Sequence, residues 1–287
     1  MKAYSDSSNI EKQIRADIKA FPAMPAMCQT LMTKFNDPDA DFGALAEEMK
    51  YDPGMTANVL RLANSAAFSS GMQLDSLKTA FVRLGMKTLF QLVAAQGAAP
   101  MLKQTLIGYD LRPEELLRHS VWTAVASEEI AVALKLDAPE MLFTAGLLHD
   151  MGKVILDGFI IANATDISTV MNATSETFDS IESSILGLSH AEAGADIMKQ
   201  WCFPDELVAT IRWHHDPSQA GVHSPIANIV HLADMLAYTE GIGTGIDGLR
   251  YNVSENAVSE LGITTRTLER AASHTLDKMN ELERILT

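Results

Sequence analysis

Apolar residues recur at three- and four-residue intervals along nearly the whole chain, and no stretch alternates apolar with polar for the length of a strand. In NIEKQIRADIKAF, Ile10, Ile14, Ile18 and Phe21 share one helical face. Pro22 and Pro25 of FPAMPAM then interrupt, because each fixes its own φ and turns the preceding residue away from the helical region. FNDPDADFGALAEEMKYDPGMTANVLRLANSAAF reads as a loop and two helices, the second with Asp52 as N-cap and Pro53 as its first residue. LDSLKTAFVRLGMKTLFQLVAAQ reads as two helices meeting near Gly85. The best boundary between two helical halves is GAAPMLKQTLIGYDLRPEE, after which the periodicity predicts helices near 113–135, 138–150, 190–202, 204–215 and 225–239, then a C-terminal pair. In the last helix Leu268, Ala272, Leu276, Met279 and Leu282 form an apolar stripe that reads as core packing, with the seam of a homo-oligomer as the lesser alternative. The expected fold is all-α, with an N-terminal helical subdomain over 1–105 packed on a helical bundle over 106–287.

Composition narrows the class. The net charge is −15, which argues against a general grip on nucleic acid, although a local basic groove stays open. A helix–turn–helix reader around Gly85 is disfavoured for the same reason, since its flanks are not basic and the spacing at the turn fits poorly. The N-terminal MKAYSDSSNIEKQIRADIKAF has no apolar core of a signal peptide. The longest apolar run, LFQLVAAQGAAPML, is short and interrupted by glutamines, so no membrane span is expected. Cys28 and Cys202 form neither a metal-type pair nor a disulfide framework. These features point to a cytoplasmic protein in a reducing compartment.

Against this ordinary background the histidines are unusual in position. His119 shares a face with Trp122, Ala126 and Ile130, at offsets of 3, 7 and 11. His149 follows Leu142 and Ala145 at helical spacing and is itself followed by Asp150. His190 aligns with Gly194, Ile197 and Trp201, while His214 and His215 close the helix of PDELVATIRW. Asp234 lies on one stripe with Ile226, Val230 and Ala237, where a hydrophobic residue belongs. A buried carboxylate without a partner costs several kcal/mol or takes up a proton. One inward histidine is ordinarily a core residue bonded to a carbonyl, and one inward aspartate can pair with arginine. Inward or terminal groups on five separate helices are explained more economically by a shared metal centre, and imidazole with carboxylate suits Fe, Mn, Zn, Ni or Co.

His119, the HD pair at 149–150 and Asp234 resemble the H…HD…D signature of the HD superfamily of metal-dependent phosphohydrolases. FPAMPAM, DPGMTANVLRLANSAAF, AFVRLG and LGLSHAEAGADIMKQWCFPDELVATIRWHH resemble the HDOD family, the HD-related output domains of bacterial signalling, over roughly residues 15–240. The resemblance implies an HD-type bundle holding one or two divalent ions, the first on His119, His149, Asp150 and Asp234. Asp150 would bridge to a second on His190 and His214, with His215 beside them, and the chemistry would be hydrolysis of a phosphoester. Lys153 then either lies by the metal and steadies a substrate phosphate or is a solvated helix-end lysine, and Gly152 is expected to let the chain turn after the ligands. Arg61, Asn64 and Ser65 either make a polar contact surface or serve as caps and close packing. DPSQAGVHSPIAN lacks the glycine-tyrosine-proline loop of cyclic dinucleotide phosphodiesterases, which argues against cyclic di-GMP as substrate. The alternative is a non-catalytic output module in which the metal is structural or absent. With no receiver, kinase or cyclase sequence attached, a signalling partner is expected to act in trans.

Overall fold

A computed structural model describes residues 4–24, 29–30, 34, 41–65, 73–136, 141–248 and 250–286. Pro25, Cys28 and the side chain of Leu282 lie outside the described residues. Helix follows helix, and among the described residues the β pairing is one isolated antiparallel bridge between Leu106 and Leu111. The chain forms two compact units, one of residues 23–100 with 280–287, the other of 1–22 with 101–279.

Among the described residues, the 23–100 unit contains α2 (Phe42–Met49), α3 (Pro53–Ala63) and all but the last two residues of α4 (Leu77–Leu102). Asp52 caps α3 as its sequence predicts, its carboxylate accepting from Met55 N at 2.9 Å, with Pro53 in the first turn. Asn64 just beyond α3 holds Leu74 through both its carbonyl and its amide, at 2.7 Å each. Ser65 Oγ donates to Leu62 O at 2.7 Å, so these two polar residues close the chain on itself, the capping alternative of the sequence reading. α4 is broken at Gly85, whose φ of 75° and ψ of 165° a side chain would oppose.

The other unit opens with α1 (Tyr4–Ala20), which a division at 105 would group with residues 23–100. Ile14 and Ile18 are buried, and the helix packs on α7 (Gly152–Ala162), α9 (Phe178–Leu186) and α10 (His190–Gln200). Arg15 pairs with Asp196 of α10 at 2.8 Å. At the centre, α5 (Glu115–Ala133) packs along α6 (Leu142–Leu148) and α12 (Ser224–Thr239). α10 starts at a capping box in which Ser189 and Glu192 exchange side-chain and backbone hydrogen bonds. α11 (Asp205–Arg212) packs against it, and a 3₁₀ turn over Pro217–His223 leads into α12. α13 (Glu255–Leu261) and α14 (Thr265–Leu286) are the C-terminal pair.

Several readings of the sequence need correction. Helices α7, α8 (Ala164–Ala173) and α9 lie in a stretch where the periodicity placed none. α8 buries only Ile167, which leaves no stripe to detect, and the β-branched and aromatic run of α7 obscures its period. α11 ends at Arg212, so His214 and His215 follow it and do not belong to it. The core face of α14 is Ala271, Ala272, Thr275 and Met279, and Leu276 of the expected stripe is 50% exposed. A buried threonine there, bonded to Ala271 O, disguises the true face.

Candidate metal centre

Five elements deliver the chemistry to one place. His119 comes from the second turn of α5, His149 and Asp150 from the end of α6, and His190 from the first residue of α10. His214 and His215 follow α11, and Asp234 lies in the middle of α12. Their side chains are at most 5% exposed. His119 Nε2 lies 2.9 Å from Asp234 Oδ1, 3.3 Å from His149 Nε2 and 3.5 Å from Asp150 Oδ2. On the other side of the same carboxylate, Asp150 Oδ1 faces His190 Nε2 at 3.4 Å and His214 Nε2 at 3.9 Å. His190 Nε2 and His215 Nε2 are 2.9 Å apart. The candidate ligand atoms form three overlapping groups, Asp150 with His190, His214 and His215, His119 with His149 and Asp150, and His149 with His214 and Asp234, each within 4.8 Å. All seven residues singled out in the sequence therefore converge, with Asp150 between the two halves.

Hydrogen bonds at the far ring nitrogens set the tautomers. Nδ1 of His119 faces Ile242 O at 2.9 Å, that of His149 faces Gly146 O at 2.7 Å, and that of His214 faces Ile211 O at 2.7 Å. His190 Nδ1 faces Glu182 Oε2 at 2.6 Å. These oxygens only accept, so Nδ1 carries the hydrogen and each neutral ring presents the lone pair of Nε2 to the centre. Asp150 Oδ1, Asp234 Oδ2, His214 Nε2 and His215 Nδ1 are buried without a hydrogen-bond partner. Lone pairs and carboxylates facing one another in the interior require positive charge among them. The donor set of imidazole and carboxylate, with each ring held from behind, fits a divalent transition-metal ion.

Electrostatics show where a proton substitutes for that charge. Burial lowers His149, but Asp150 and Asp234 outweigh it and raise the group to about 10. Burial raises Asp150 and Asp234, yet Lys153 and His149 for the first, and His119 and His149 for the second, hold them well below the carboxylate range. Burial together with His149 and His190 pushes His214 down to about 3. In metal-free protein at neutral pH, His149 is thus charged and His214 neutral. The His149 proton adds stability that is complete below the unfolded imidazole's 6.5 and is lost as pH rises through about 10. Metal needs the neutral ring, so loading at pH 7 is expected to release the His149 proton and affinity to weaken as pH falls. Calorimetric titrations in buffers of different ionisation enthalpy count that proton, and a buffer-independent heat would refute the assignment.

Lys153 is not the solvated lysine of the alternative reading. It is 1% exposed, in the first turn of α7, where the helix dipole opposes its charge. Its Nζ donates to Asp150 Oδ2 at 2.7 Å and Tyr238 OH at 3.3 Å, and pairs with Asp247 Oδ2 at 2.6 Å. Gly152 does not provide a turn either. It is the first residue of α7, after the turn, and a methyl group there would overlap His190 O and come within 2.6 Å of Gly194 N, so glycine is what lets α7 and α10 touch.

The sequence reading missed Glu182, Tyr109, Asp247, Tyr238 and Tyr251. Glu182 is fully buried, holds His190 through both Nδ1 and the backbone N, and accepts from Tyr109 OH at 2.6 Å. Its place one turn after Phe178 and beside Ile181, on the apolar face of α9, was a usable signal once α9 was seen. Asp247 lies in GIGTGIDG, which has no periodicity to mark it.

Comparison with known proteins agrees with this architecture. Residues 21–217 match the HDOD domain family. An uncharacterised protein of Treponema pallidum is 24% identical over 240 residues, 80% of this chain, and the chain spans about half of that relative, 45% of its length. An HDOD domain protein of unknown function from Geobacter sulfurreducens is similar in fold, with a TM-score of 0.70 at 23% identity over 98% of this chain and 96% of that one. A Shewanella amazonensis protein provisionally named a phosphohydrolase gives a TM-score of 0.62 at 25% identity, over 91% of this chain and 97% of its own. No single described helix is long and apolar enough to cross a membrane.

Proposed function

The chain belongs to the HDOD family, and we propose from this that it is a cytoplasmic bacterial signalling protein whose His/Asp centre holds one or two divalent ions and hydrolyses a phosphoester. The observation that carries the reading is the convergence of four Nδ1-anchored imidazoles on the two faces of Asp150 and on Asp234. His119, His149, Asp150 and Asp234 would hold one ion, and Asp150, His190, His214 and His215 a second. Such an ion supplies a water of lowered pKa and stabilises charge developing on phosphoryl oxygens. The chain's own groups do the rest. Glu182 and three carbonyls lock the rings, Lys153 places a cation beside Asp150 for a phosphate, and the apolar surroundings keep bulk water out. The similarity to the Shewanella protein supports the phosphohydrolase assignment.

A second reading is favoured by one observation, the near-complete burial of every candidate ligand. It makes the metal structural and the protein an output module that binds a signalling partner in trans. The primary test is plasma mass spectrometry of protein purified without a chelating column, with Asp234→Ala alongside. Roughly one to two equivalents of Fe, Mn, Zn, Ni or Co, lost in the variant, are expected. Turnover of phosphoesters with that ion then separates enzyme from module. Absence of metal from both proteins after reconstitution would sink the centre altogether.

A further inference from the structure

The chain between α12 and α13, described at residues 241–248 and 250–254, lies beyond the stretch matched to the family and packs directly on the site. Its Ile242 carbonyl accepts from His119 Nδ1, its Ile246 N donates to Tyr109 O at 3.0 Å, and its Ser254 N donates to His231 Nε2 at 2.9 Å. Tyr251 lies flat on His215, with ring centres 3.9 Å apart and planes 4° from parallel. Glycines permit this close passage, since a methyl group on Gly243 would come within 2.7 Å of His119 Cβ and one on Gly245 would overlap Tyr109 O. Arg250 anchors the segment by donating to Met171 O, Thr174 O and Glu176 O around the C-terminal end of α8.

Asp247 is the point of contact with the chemistry. A lysine ammonium has three N–H donors. Lys153 spends two of them on Asp150 and Tyr238, and the Asp247 carboxylate lies against the ammonium at 2.6 Å, where a phosphate oxygen would have to sit. Asp247 is a carboxylate, an anion of the kind the lysine would otherwise receive from substrate. It is nevertheless imperfectly held, because its Oδ1 is buried with no hydrogen-bond partner.

We propose that residues 241–248 with 250–254 form an autoinhibitory strap in which the Asp247 carboxylate occupies, on Lys153, the place of a phosphate oxygen, so that a phosphoester reaches the centre only when the strap lifts. This rests on the phosphohydrolase reading, and it accounts for the closed site without making the metal structural. No bond is made or broken in the switch. One anion replaces another on the ammonium, and the amides of Ile246 and Ser254 lose their acceptors as the strap leaves.

Those two amides and inorganic phosphate provide the test. Manganese-loaded wild type and Asp247→Asn are compared by calorimetric titration with inorganic phosphate, and amide exchange is followed in both with and without phosphate. Phosphate binding at least tenfold tighter in Asp247→Asn, with several-fold faster exchange at Ile246 and Ser254 when phosphate binds the wild type, is the expected result. Phosphate that binds both proteins equally and leaves those amides protected overturns the strap and leaves the phosphohydrolase reading standing. Metal retained with no phosphate binding in either protein overturns both. Should Asp247→Asn fail to fold, exchange in the wild type decides alone, since bound phosphate with unchanged protection at both amides is incompatible with a lifting strap.

Discussion

Asp150→Ala is expected to lose metal and stability together, even in chelator-treated protein. Asp150 is fully buried between Lys153, His149 and His190. Removing it leaves the Lys153 ammonium with Asp247 as its one remaining charged partner among the described contacts, and leaves the His149 charge with Asp234 alone. Breaking a buried ion pair by deleting one member costs about 3–5 kcal/mol, and the low end applies because Asp247 stays. For a unit of this size that is a fall in melting temperature of roughly 6–12 °C. A drop in stability on Asp150→Ala therefore cannot by itself mark the metal as structural. Asp150→Asn is the cleaner probe, since its amide oxygen still accepts from Lys153 while the charge and one lone-pair face are lost. It should abolish metal content with a smaller loss of stability than Asp150→Ala. Equal melting temperatures for metal-free wild type and Asp150→Ala would show that Lys153 does not depend on this carboxylate.

Gly152→Ala is expected to be the most damaging substitution of a residue that carries no chemistry. The added methyl group would meet backbone, His190 O and Gly194 N, and backbone of a helix cannot swing aside as a side chain can. α7 and α10 must separate, at about 3 kcal/mol or more, and His190 moves with α10. The ligands on the Asp150 Oδ1 side should weaken first. Gly158→Ala, on the same helix, meets nothing within 4 Å. It should be neutral or stabilise by about 0.5–1 kcal/mol, because alanine is the better helix former. Urea midpoints measured for both variants decide the matter, and superimposable curves would refute the close-approach role of Gly152.

The candidate ligands were legible because each of them violates a local pattern. Asp234 sits on a stripe with Ile226, Val230 and Ala237, and His119 on one with Trp122 and Ile130. Periodicity of 3.6 residues specifies which side of a helix faces inward, so a polar group there announces itself without tertiary information. The same rule failed where a helix offers no contrast. α8 buries a single residue, and on α14 Thr275 holds a core position that a hydrophobicity count assigns to Leu276.

What the sequence determined by itself is the all-α class, the cap at Asp52, and the set of inward histidines and aspartates. All of these follow from interactions within about four residues, the reach of a helical turn. The roles of Lys153, Gly152, Glu182 and Asp247 were decided only by the tertiary structure. Lys153 becomes a buried cation because residues 85 and 94 positions further along the chain bring Tyr238 and Asp247 to it. Gly152 becomes obligatory because α10 crosses α7 at that residue. Such contacts join segments whose spacing in sequence carries no periodic signal, and the free energy that selects them comes from packing and from neutralising charge in the interior, neither of which has a local signature.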